Sequence, residues 1–233
     1  TQIRYYVVTD ACGNTSTCLQ TFTWTEDITK PIISCPANIT VQCAADVPNA
    51  NINDVVFSDN CSGTPTVTHE GDQITNQTCA NKYTITRTYK VVDECNNSAT
   101  CTQTITVNDN TPPTITCPVA VTVTCVGNVP APNINDVTAS DNCTGTVTKS
   151  FVGDVTTNNG CNDYYVTRTY MATDACGNTA TCTQKISIID NIAPTITCPV
   201  AVTVTCLENV PVQNTNDVTA SDNCTGTVTK SFV

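Results

Sequence analysis

Cysteine is the residue type in this chain that offers the most chemistry. The 233 residues include 17 cysteines, one His and no CxxC pair. A zinc site needs such pairs or several histidines, whereas cysteine this dense is typical of disulfide-stapled domains in an oxidising, extracellular setting. The cysteines form three sets offset by 81 to 83 residues, which predicts a tandem repeat: Cys12, Cys18, Cys35, Cys43, Cys61 and Cys79; Cys95, Cys101, Cys117, Cys125, Cys143 and Cys161; Cys176, Cys182, Cys198, Cys206 and Cys224.

Acidic and amide side chains form a second recurring pattern, each time shortly before proline. The three stretches are EDITKP at 26–31, NDNTPP at 108–113 and DNIAP at 190–194. They resemble the NDNxP linkers of cadherins, where calcium stiffens the chain. Calcium prefers carboxylate, carbonyl and amide oxygens, so these joints are candidate calcium sites. The alternative is that Asp and Asn only cap turns and solvate a hinge.

Alternating Thr and apolar residues predict the elements that position these groups. The stretches TITCPVAVTVTC, YVTRTY and CTQKISI have the period of two that is typical of half-buried strands, and helical periodicity is absent. Several short strands within about 82 residues indicate an all-β fold of tandem immunoglobulin-like antiparallel β-sandwiches with three disulfides per complete repeat. The expected division is the C-terminal part of a repeat at 1–27, complete repeats at 28–109 and 110–191, and the N-terminal part of a repeat at 192–233.

The sandwich topology brings the acidic residues of each joint together. In such a sandwich, the loops after the second and the penultimate strands lie at the pole that faces the preceding linker. The calcium ligands expected from this arrangement are Asp27, Asp59, Asn60 and Asp93 at the first joint; Asp109, Asn110, Asp141 and Asp174 at the second; and Asp190, Asn191 and Asp222 at the third.

The same topology predicts one disulfide connectivity of the fifteen that six cysteines allow. The first and last strands of a sandwich run side by side, so their cysteines pair, and the other cysteines meet at the two poles. The expected bonds are Cys35–Cys101, Cys43–Cys79 and Cys61–Cys95 in the first complete repeat, and Cys117–Cys182, Cys125–Cys161 and Cys143–Cys176 in the second.

Two arginines share the inward face of a strand with tyrosines. Arg87 lies two residues before Tyr89, and Arg168 lies two residues before Tyr170. A buried arginine needs an acidic partner. We expect that partner to come from the repeated NDV sequence, which supplies Asp54, Asp136 and Asp217.

The repeated motifs ITCP, SDNC and TDACGNTATC, with the DNxxP linker, resemble the hyalin-repeat (HYR) family of immunoglobulin-like modules. The six-cysteine, Thr-rich copies are similar to repeats in very large secreted surface adhesins of flavobacteria. This resemblance spans the chain. It implies an adhesive or filament-forming role at the cell surface, secretion by the type IX route and a link to gliding motility.

Charge and motif content argue against several other functions. The net charge of −11 repels nucleic acid and anionic membranes, and no apolar run approaches the ~20 residues of a membrane span. No nucleophile elbow, phosphate loop or HExxH motif is present, so we do not expect an enzyme.

The expected function is therefore that of stalk repeats in an extracellular adhesin or surface filament. The partners are neighbouring repeats of the same polypeptide and, in a filament, other copies of the chain. Two alternatives stay open: repeats that bind a surface or glycan ligand, and a subunit that polymerises by strand complementation.

Overall fold

The structure is a computed structural model that describes residues 1–61, 63–160 and 164–233. The chain divides into two compact units, residues 1–108 and residues 109–233. Strands dominate both units, with short 3₁₀ turns between them. Among the described residues, no helix has the length and apolar character needed to cross a membrane. The four-part division into repeats at 27/28, 109/110 and 191/192 stays a prediction.

The first unit contains a hairpin followed by a two-sheet domain. The hairpin pairs β1 with β2, and the domain packs a four-stranded sheet, ordered β4-β8-β7-β6, with a two-stranded sheet of β3 and β5. Strand β4 runs parallel to β8, and the other pairs are antiparallel. The strands are β1 Gln2–Thr9, β2 Thr15–Phe22, β3 Ile32–Ser34, β4 Ile39–Val41, β5 Val56–Ser58, β6 Thr66–Cys79, β7 Lys82–Val92 and β8 Ser98–Asn108.

The second unit repeats this arrangement. Its four-stranded sheet has the order β10-β14-β13-β12, and β9 pairs with β11. A further antiparallel pair, β15 with β16, follows it. The strands are β9 Thr114–Thr116, β10 Val121–Val123, β11 Thr138–Ser140, β12 Thr148–Asn158, β13 Tyr164–Thr173, β14 Thr179–Ile188, β15 Thr195–Thr197 and β16 Thr219–Ser221. The predicted all-β sandwich is confirmed.

Strict alternation of burial explains why these residues form sheets. Along β7 every second side chain is buried, and the same holds for β13 and for the C-terminal half of β14. Tyr89 and Tyr170 are each 1% exposed, as the sequence pattern predicts. The Thr residues between the buried positions face outward. A period of two therefore places one apolar face on the core and one polar face in water.

The buried arginines have acidic partners, but not the ones that the sequence suggested. Arg87 forms a two-pronged ion pair with Asp72, at 2.8 and 2.9 Å, and Arg168 forms the same pair with Asp154. The expectation that Asp54, Asp136 or Asp217 fills this role is wrong. Asp72 and Asp154 stand directly opposite the arginines across the strand pair, whereas the NDV aspartates lie in 3₁₀ turns.

A β-bulge sets the register that creates these ion pairs. In β6 the pairing with β7 shifts between His69 and Gly71, and Gly71 has a φ of 126°. In β12 the shift falls between Phe151 and Gly153. An extra residue in one strand changes which residues stand opposite each other, and this shift brings each aspartate opposite its arginine.

Two disulfides tie the first strand of each repeat to its last. They are Cys35–Cys101 and Cys117–Cys182, the bonds expected for strands that run side by side. Cys43, Cys79, Cys143 and Cys176 are also disulfide-bonded, and the pairings Cys43–Cys79 and Cys143–Cys176 stay predictions. The Ala44 amide donates a hydrogen bond to Asn81 Oδ1 at 2.9 Å, so the chain next to Cys43 lies at the turn after Cys79.

Two of the expected disulfide pairings differ in the structure. Cys125 is bonded to Cys224 in place of Cys161, which lies outside the described residues. Cys125 follows β10 at the pole next to the third joint, where it lines one cavity with Asp190 and Cys224, so a sulfur of the following segment lies within bonding reach. Cys61 and Cys95 are free thiols. The expected count of three disulfides per complete repeat is therefore not reached in residues 28–61 and 63–109.

Candidate acidic sites at the repeat joints

The first carboxylate of each joint is held by the linker backbone. Asp27 Oδ1 accepts a hydrogen bond from the Thr29 amide at 2.9 Å, and Asp109 Oδ1 accepts one from the Thr111 amide at 3.2 Å. Asp190 Oδ1 accepts the corresponding bond from Ile192 at 3.1 Å. These are Asx turns, in which a short acidic side chain caps the backbone two residues on. Each turn leaves the second carboxylate oxygen available for another contact.

The second carboxylate of each joint comes from the loop after the second β-strand of the smaller sheet. Asp59, Asp141 and Asp222 each accept a hydrogen bond through Oδ2 from the amide of the cysteine two residues later, at 3.0 to 3.2 Å. Their Oδ1 atoms therefore point away from this turn. In the first two joints, Asp59 Oδ1 and Asp141 Oδ1 are buried without a hydrogen-bond partner, as is Asp27 Oδ2.

The structure brings the two carboxylates and one sulfur together at all three joints. At each joint, one ligand atom from every member lies within 4.8 Å of the others, in the groups Asp27, Asp59 and Cys61; Asp109, Asp141 and Cys143; and Asp190, Asp222 and Cys224. The six aspartates are ligands expected from the sequence, whereas the cysteines are not. The fixed spacing of Asp two residues before Cys in SDNC is the signal that would have found them.

The third expected aspartate acts through the turn of a hairpin. Asp174, 7% exposed, accepts hydrogen bonds from the backbone and side chain of Asn178. The same Asn178 amide donates to the backbone carbonyl of Asp109 at 3.2 Å. In the first repeat, Asn97 joins Asp93 to the Asp27 carbonyl in the same way, at 2.9 and 3.0 Å. Asn97 and Asn178, which sequence analysis missed as site residues, therefore fix the linker to the hairpin.

The pKa values reflect how crowded these carboxylates are. Burial raises the pKa of Asp109, and the charges of Asp141 and Asp174 raise it further, although the Thr111 amide opposes the shift. Burial also raises the pKa of Asp174, but hydrogen bonds from Asn178 and the Cys176 amide outweigh it and leave the pKa lowered. Asp109 is thus a buried carboxylate whose charge the protein alone does not neutralise.

The first joint differs from the second in its sulfur chemistry. Hydrogen bonding to the Asp27 carboxylate, with partial loss of solvent contact and the charges of Asp27 and Asp59, raises the pKa of the Cys61 thiol to about 11. The backbone amide of Thr29 and the Cys61 thiol lower the pKa of Asp27. Cys61 and Cys95 line one cavity of about 60 Å³ with Asp27, Asp59 and Asp93.

The role of the expected amide ligands Asn60, Asn110 and Asn191 stays a prediction. Asn60 donates its Nδ2 to Asp27 Oδ1 at 3.3 Å, so its nitrogen faces the carboxylate. Asn110 and Asn191 are exposed residues that stand next to their Asp turns. The aspartates are therefore the expected ligands that are found together within 4.8 Å in the described residues.

These residues fit a hard divalent cation. Calcium takes six to eight oxygens from carboxylates, carbonyls and water, and unpartnered buried carboxylate oxygens are costly without a counter-charge. The first cavity, of about 60 Å³, is large enough to hold an ion. The sulfurs are poor ligands for such an ion because calcium prefers oxygen, so the aspartates would hold it.

Comparisons with known proteins give structural neighbours only. No protein-family model and no curated protein sequence matches this chain. Similar structures include the extracellular domain of Protocadherin GammaB4 (15% identity, TM-score 0.33, 85% of this chain and 40% of that one), Protocadherin Gamma B2 extracellular cadherin domains 3-6 (14%, 0.33, 85% and 60%) and human CDH23 EC21-23 (15%, 0.33, 82% and 79%). The chain thus spans about half the length of the first two. At TM-scores of this size the likeness carries no weight, and the fold rests on the strands described above.

Proposed function

We propose that this chain is a run of structural repeats from the shaft of an extracellular adhesin or surface filament, and that its joints bind calcium. The disulfide-bonded cysteines in both units support an oxidising, extracellular setting. The partners are the neighbouring repeats of the same polypeptide. The same proposal includes the resemblance to hyalin repeats and secretion by the type IX route. It also includes contacts with other copies of the chain in a filament.

The buried, unpartnered carboxylate oxygens at successive joints are the observation that carries this proposal. Asp59 Oδ1 and Asp141 Oδ1 occupy equivalent positions in the two complete repeats, and both lack a hydrogen-bond partner. An unpartnered buried oxygen without a function would not be expected to recur at the same position, because each such group lowers the free energy of unfolding by about 1–3 kcal/mol. A cation between the linker aspartate and the loop aspartate would satisfy both oxygens.

Calcium at a joint would join residues that belong to different segments of the chain. At the second joint, Asp109 lies in the linker, Asp141 in the loop after β11 and Asp174 in the hairpin between β13 and β14. An ion held by Asp109 and Asp141 ties the linker to the loop, while Asn178 already ties it to the hairpin. The proposed mechanism is mechanical: the ion restricts the joint, and the disulfides lock each repeat.

Calcium titration of the full chain tests the proposal. We expect heat of binding in isothermal titration calorimetry and, at 100 times the dissociation constant, about 2.7 kcal/mol of added stability against chelator-treated protein. The variants Asp59→Asn and Asp141→Asn should each remove one binding event. Asp136→Asn is the matched control, because Asp136 lies in an exposed turn outside the clusters. Absence of binding heat and an unfolding temperature that chelation leaves unchanged would refute the calcium sites.

A glycan array separates the shaft from the ligand-binding alternative. A shaft repeat is expected to give no selective signal with or without calcium. Reproducible binding to one glycan class by the full chain would make ligand recognition the primary function.

A further inference from the structure

The first two joints of the chain are equivalent in sequence but differ in covalent state. Cys61 and Cys95 are free and exposed at the first joint, whereas Cys143 and Cys176, their counterparts one repeat later, are both disulfide-bonded. Each pair adjoins the same acidic cluster, since Asp59 and Asp141 both stand two residues before the first cysteine of the pair. One protein therefore presents the same site beside a dithiol and beside oxidised cysteines.

The free thiols lie at the acidic cluster itself. Cys61 and Cys95 line the cavity that also contains Asp27, Asp59 and Asp93. The Cys61 sulfur lies within 4.8 Å of a carboxylate oxygen from Asp27 and one from Asp59. The Cys61 thiol hydrogen-bonds to the Asp27 carboxylate, which is also one of the two carboxylates that a cation would use. The reduced sulfur and a cation thus compete for the Asp27 carboxylate.

Oxidation removes this competition without removing a ligand. A disulfide sulfur carries no hydrogen and cannot donate to a carboxylate, while the aspartates and their backbone contacts are unchanged. Closing a bond between the loop that carries Cys61 and the hairpin that carries Cys95 also fixes the two segments that present Asp59 and Asp93. Both effects favour the cation-bound state over the free state, the second because less freedom is lost on binding.

We propose that the Cys61–Cys95 dithiol is a redox switch of the first acidic cluster, and that closing this disulfide strengthens calcium binding there. The inference rests on the proposed function and adds regulation of one of its sites. The cysteines of the second cluster, Cys143 and Cys176, are already disulfide-bonded, so of these two joints the first is the one whose cysteines are available for oxidation.

The oxidant is a low-molecular-weight disulfide such as oxidised glutathione. One cysteine thiolate attacks a glutathione sulfur, which forms a mixed disulfide and expels one glutathione thiolate. The second cysteine thiolate then attacks the protein sulfur of the mixed disulfide and expels the other glutathione. Two protein thiols are oxidised to one disulfide, and the two thiol protons end on the two glutathione molecules.

The experiment compares calcium binding by the full chain before and after this oxidation. The starting variant carries Asp141→Asn and Asp222→Asn, so the first cluster is the one joint that keeps both of its aspartates. Serine replaces the other cysteines that are free or lie outside the described residues: Cys12, Cys18, Cys161, Cys198 and Cys206. Peptide mapping verifies the Cys61–Cys95 bond after treatment with oxidised glutathione. We expect calorimetry to show a calcium affinity about fivefold higher after oxidation than before. This factor corresponds to the net free energy of one hydrogen bond, here the thiol contact that no longer competes with calcium.

The matched control carries Cys61→Ser and Cys95→Ser in the same background. Its calcium affinity should be the same before and after oxidant. Failure of the Cys61–Cys95 bond to form, or equal calcium affinity in the dithiol and disulfide states, overturns the switch and leaves the proposed function standing. No calcium binding in either state, together with none at the second cluster of the chain with all its aspartates, overturns both.

Discussion

Asp27 and Asp109 occupy the same position in successive joints, and their pKa values shift in opposite directions. Hydrogen bonds from the Thr29 amide and the Cys61 thiol lower the pKa of Asp27, whereas burial raises that of Asp109, which is 2% exposed. A raised acid pKa means that the folded protein prefers the protonated carboxyl. The charge of Asp109 at neutral pH is therefore a cost that a bound cation would offset.

Replacing Asp109 by Asn should stabilise the calcium-free protein at pH 7. Because the folded pKa is raised, the contribution of Asp109 favours folding below its unfolded pKa and is lost as the pH rises through the folded value. Asparagine keeps the acceptor for the Thr111 amide without the charge. We expect an unfolding temperature a few degrees higher in chelator and a smaller gain on adding calcium. Asp27→Asn, where the pKa is lowered, should not raise it; a loss of stability in Asp109→Asn would contradict the argument.

The thiol of Cys61 should react slowly with alkylating reagents in calcium-free protein. Its neighbours hold the thiol protonated and raise its pKa to about 11, and the thiolate is the reactive form. Mass spectrometry of iodoacetamide adducts across a pH series should give a midpoint near that value. Asp27→Asn should move the midpoint to lower pH, since it removes the largest cause of the shift. A midpoint that is the same in both proteins would rule out Asp27 as that cause.

At the level of elements, the paired strands β6–β7 and β12–β13 each bury one arginine against an aspartate. The Arg87 residue is 4% exposed, and the Asp72 side chain is 29% exposed. Arg87 also donates to the Pro48 carbonyl at 2.9 Å, which fixes the segment before β5 to the sheet. Such a pair favours one register as well as adding stability, because the two-pronged contact requires Asp72 to stand directly opposite Arg87.

Asp72→Ala should destabilise the protein by about 2 kcal/mol, since it leaves a buried guanidinium without its counter-charge and the exposure of Asp72 reduces the cost. The Arg87 guanidinium lowers the pKa of Asp72. Its contribution is therefore present above the unfolded pKa and is lost as the pH falls through the folded value. Urea unfolding at pH 7 and in acid measures both effects. The double variant Asp72→Ala, Arg87→Met should lose less than Asp72→Ala alone; an equal loss would mean that the stranded charge is not the cause.

The turn between β13 and β14 is the element that joins the second acidic cluster to its linker. Asn178→Ala removes the amide that contacts both Asp174 and the Asp109 carbonyl. We expect about tenfold weaker calcium binding at the second cluster, the loss typical of residues that orient metal ligands. Asn14 is a matched control, because it makes the same contacts to Asp10 in the β1–β2 hairpin, and Asp10 belongs to none of the acidic clusters found among the described residues. A change in affinity in Asn14→Ala as large as in Asn178→Ala would remove the positioning role.

At the scale of the whole molecule, the same sheet order occurs in both units, and one disulfide in each ties the first strand of the repeat to its last. These bonds span 66 and 65 residues. A closed loop of that length restricts the unfolded chain strongly. The repeats contain few large aromatic residues for a core, with aromatics at 5% of the sequence, so we expect the disulfides to contribute a large part of the stability.

Replacing Cys117 and Cys182 by serine should lower the free energy of unfolding by about 4 kcal/mol in the chain-entropy model. Denaturant unfolding of the full chain in non-reducing buffer measures this loss. Cys12→Ser with Cys18→Ser is the control, because both of these cysteines are free and their replacement removes no disulfide. A change of less than 1 kcal/mol would show that the fold does not depend on the bond.

Local patterns in the sequence were sufficient for the repeat, the strands and the inward tyrosines. Alternation of Thr with Val, Ile and Tyr has a period of two, and this period is a property of neighbouring residues that no distant contact has to supply. The pairing of Cys35 with Cys101 follows from the same reasoning, because the first and last strands of a sandwich lie side by side. The six joint aspartates were also predicted, since each belongs to a repeated motif.

The tertiary structure alone decided three features. These are the acidic partners of Arg87 and Arg168, the free state of Cys61 and Cys95, and the bond from Cys125 to Cys224. A bulge beside Gly71 or Gly153 changes the register, so the partner aspartate depends on pairing between strands and not on any local motif. The same holds for the joints: the sequence shows which aspartates recur, but the packing of linker, loop and hairpin determines which carboxylate oxygens are buried without a partner. That burial, which depends on residues about 30 to 70 positions apart, is what makes the joints candidate cation sites.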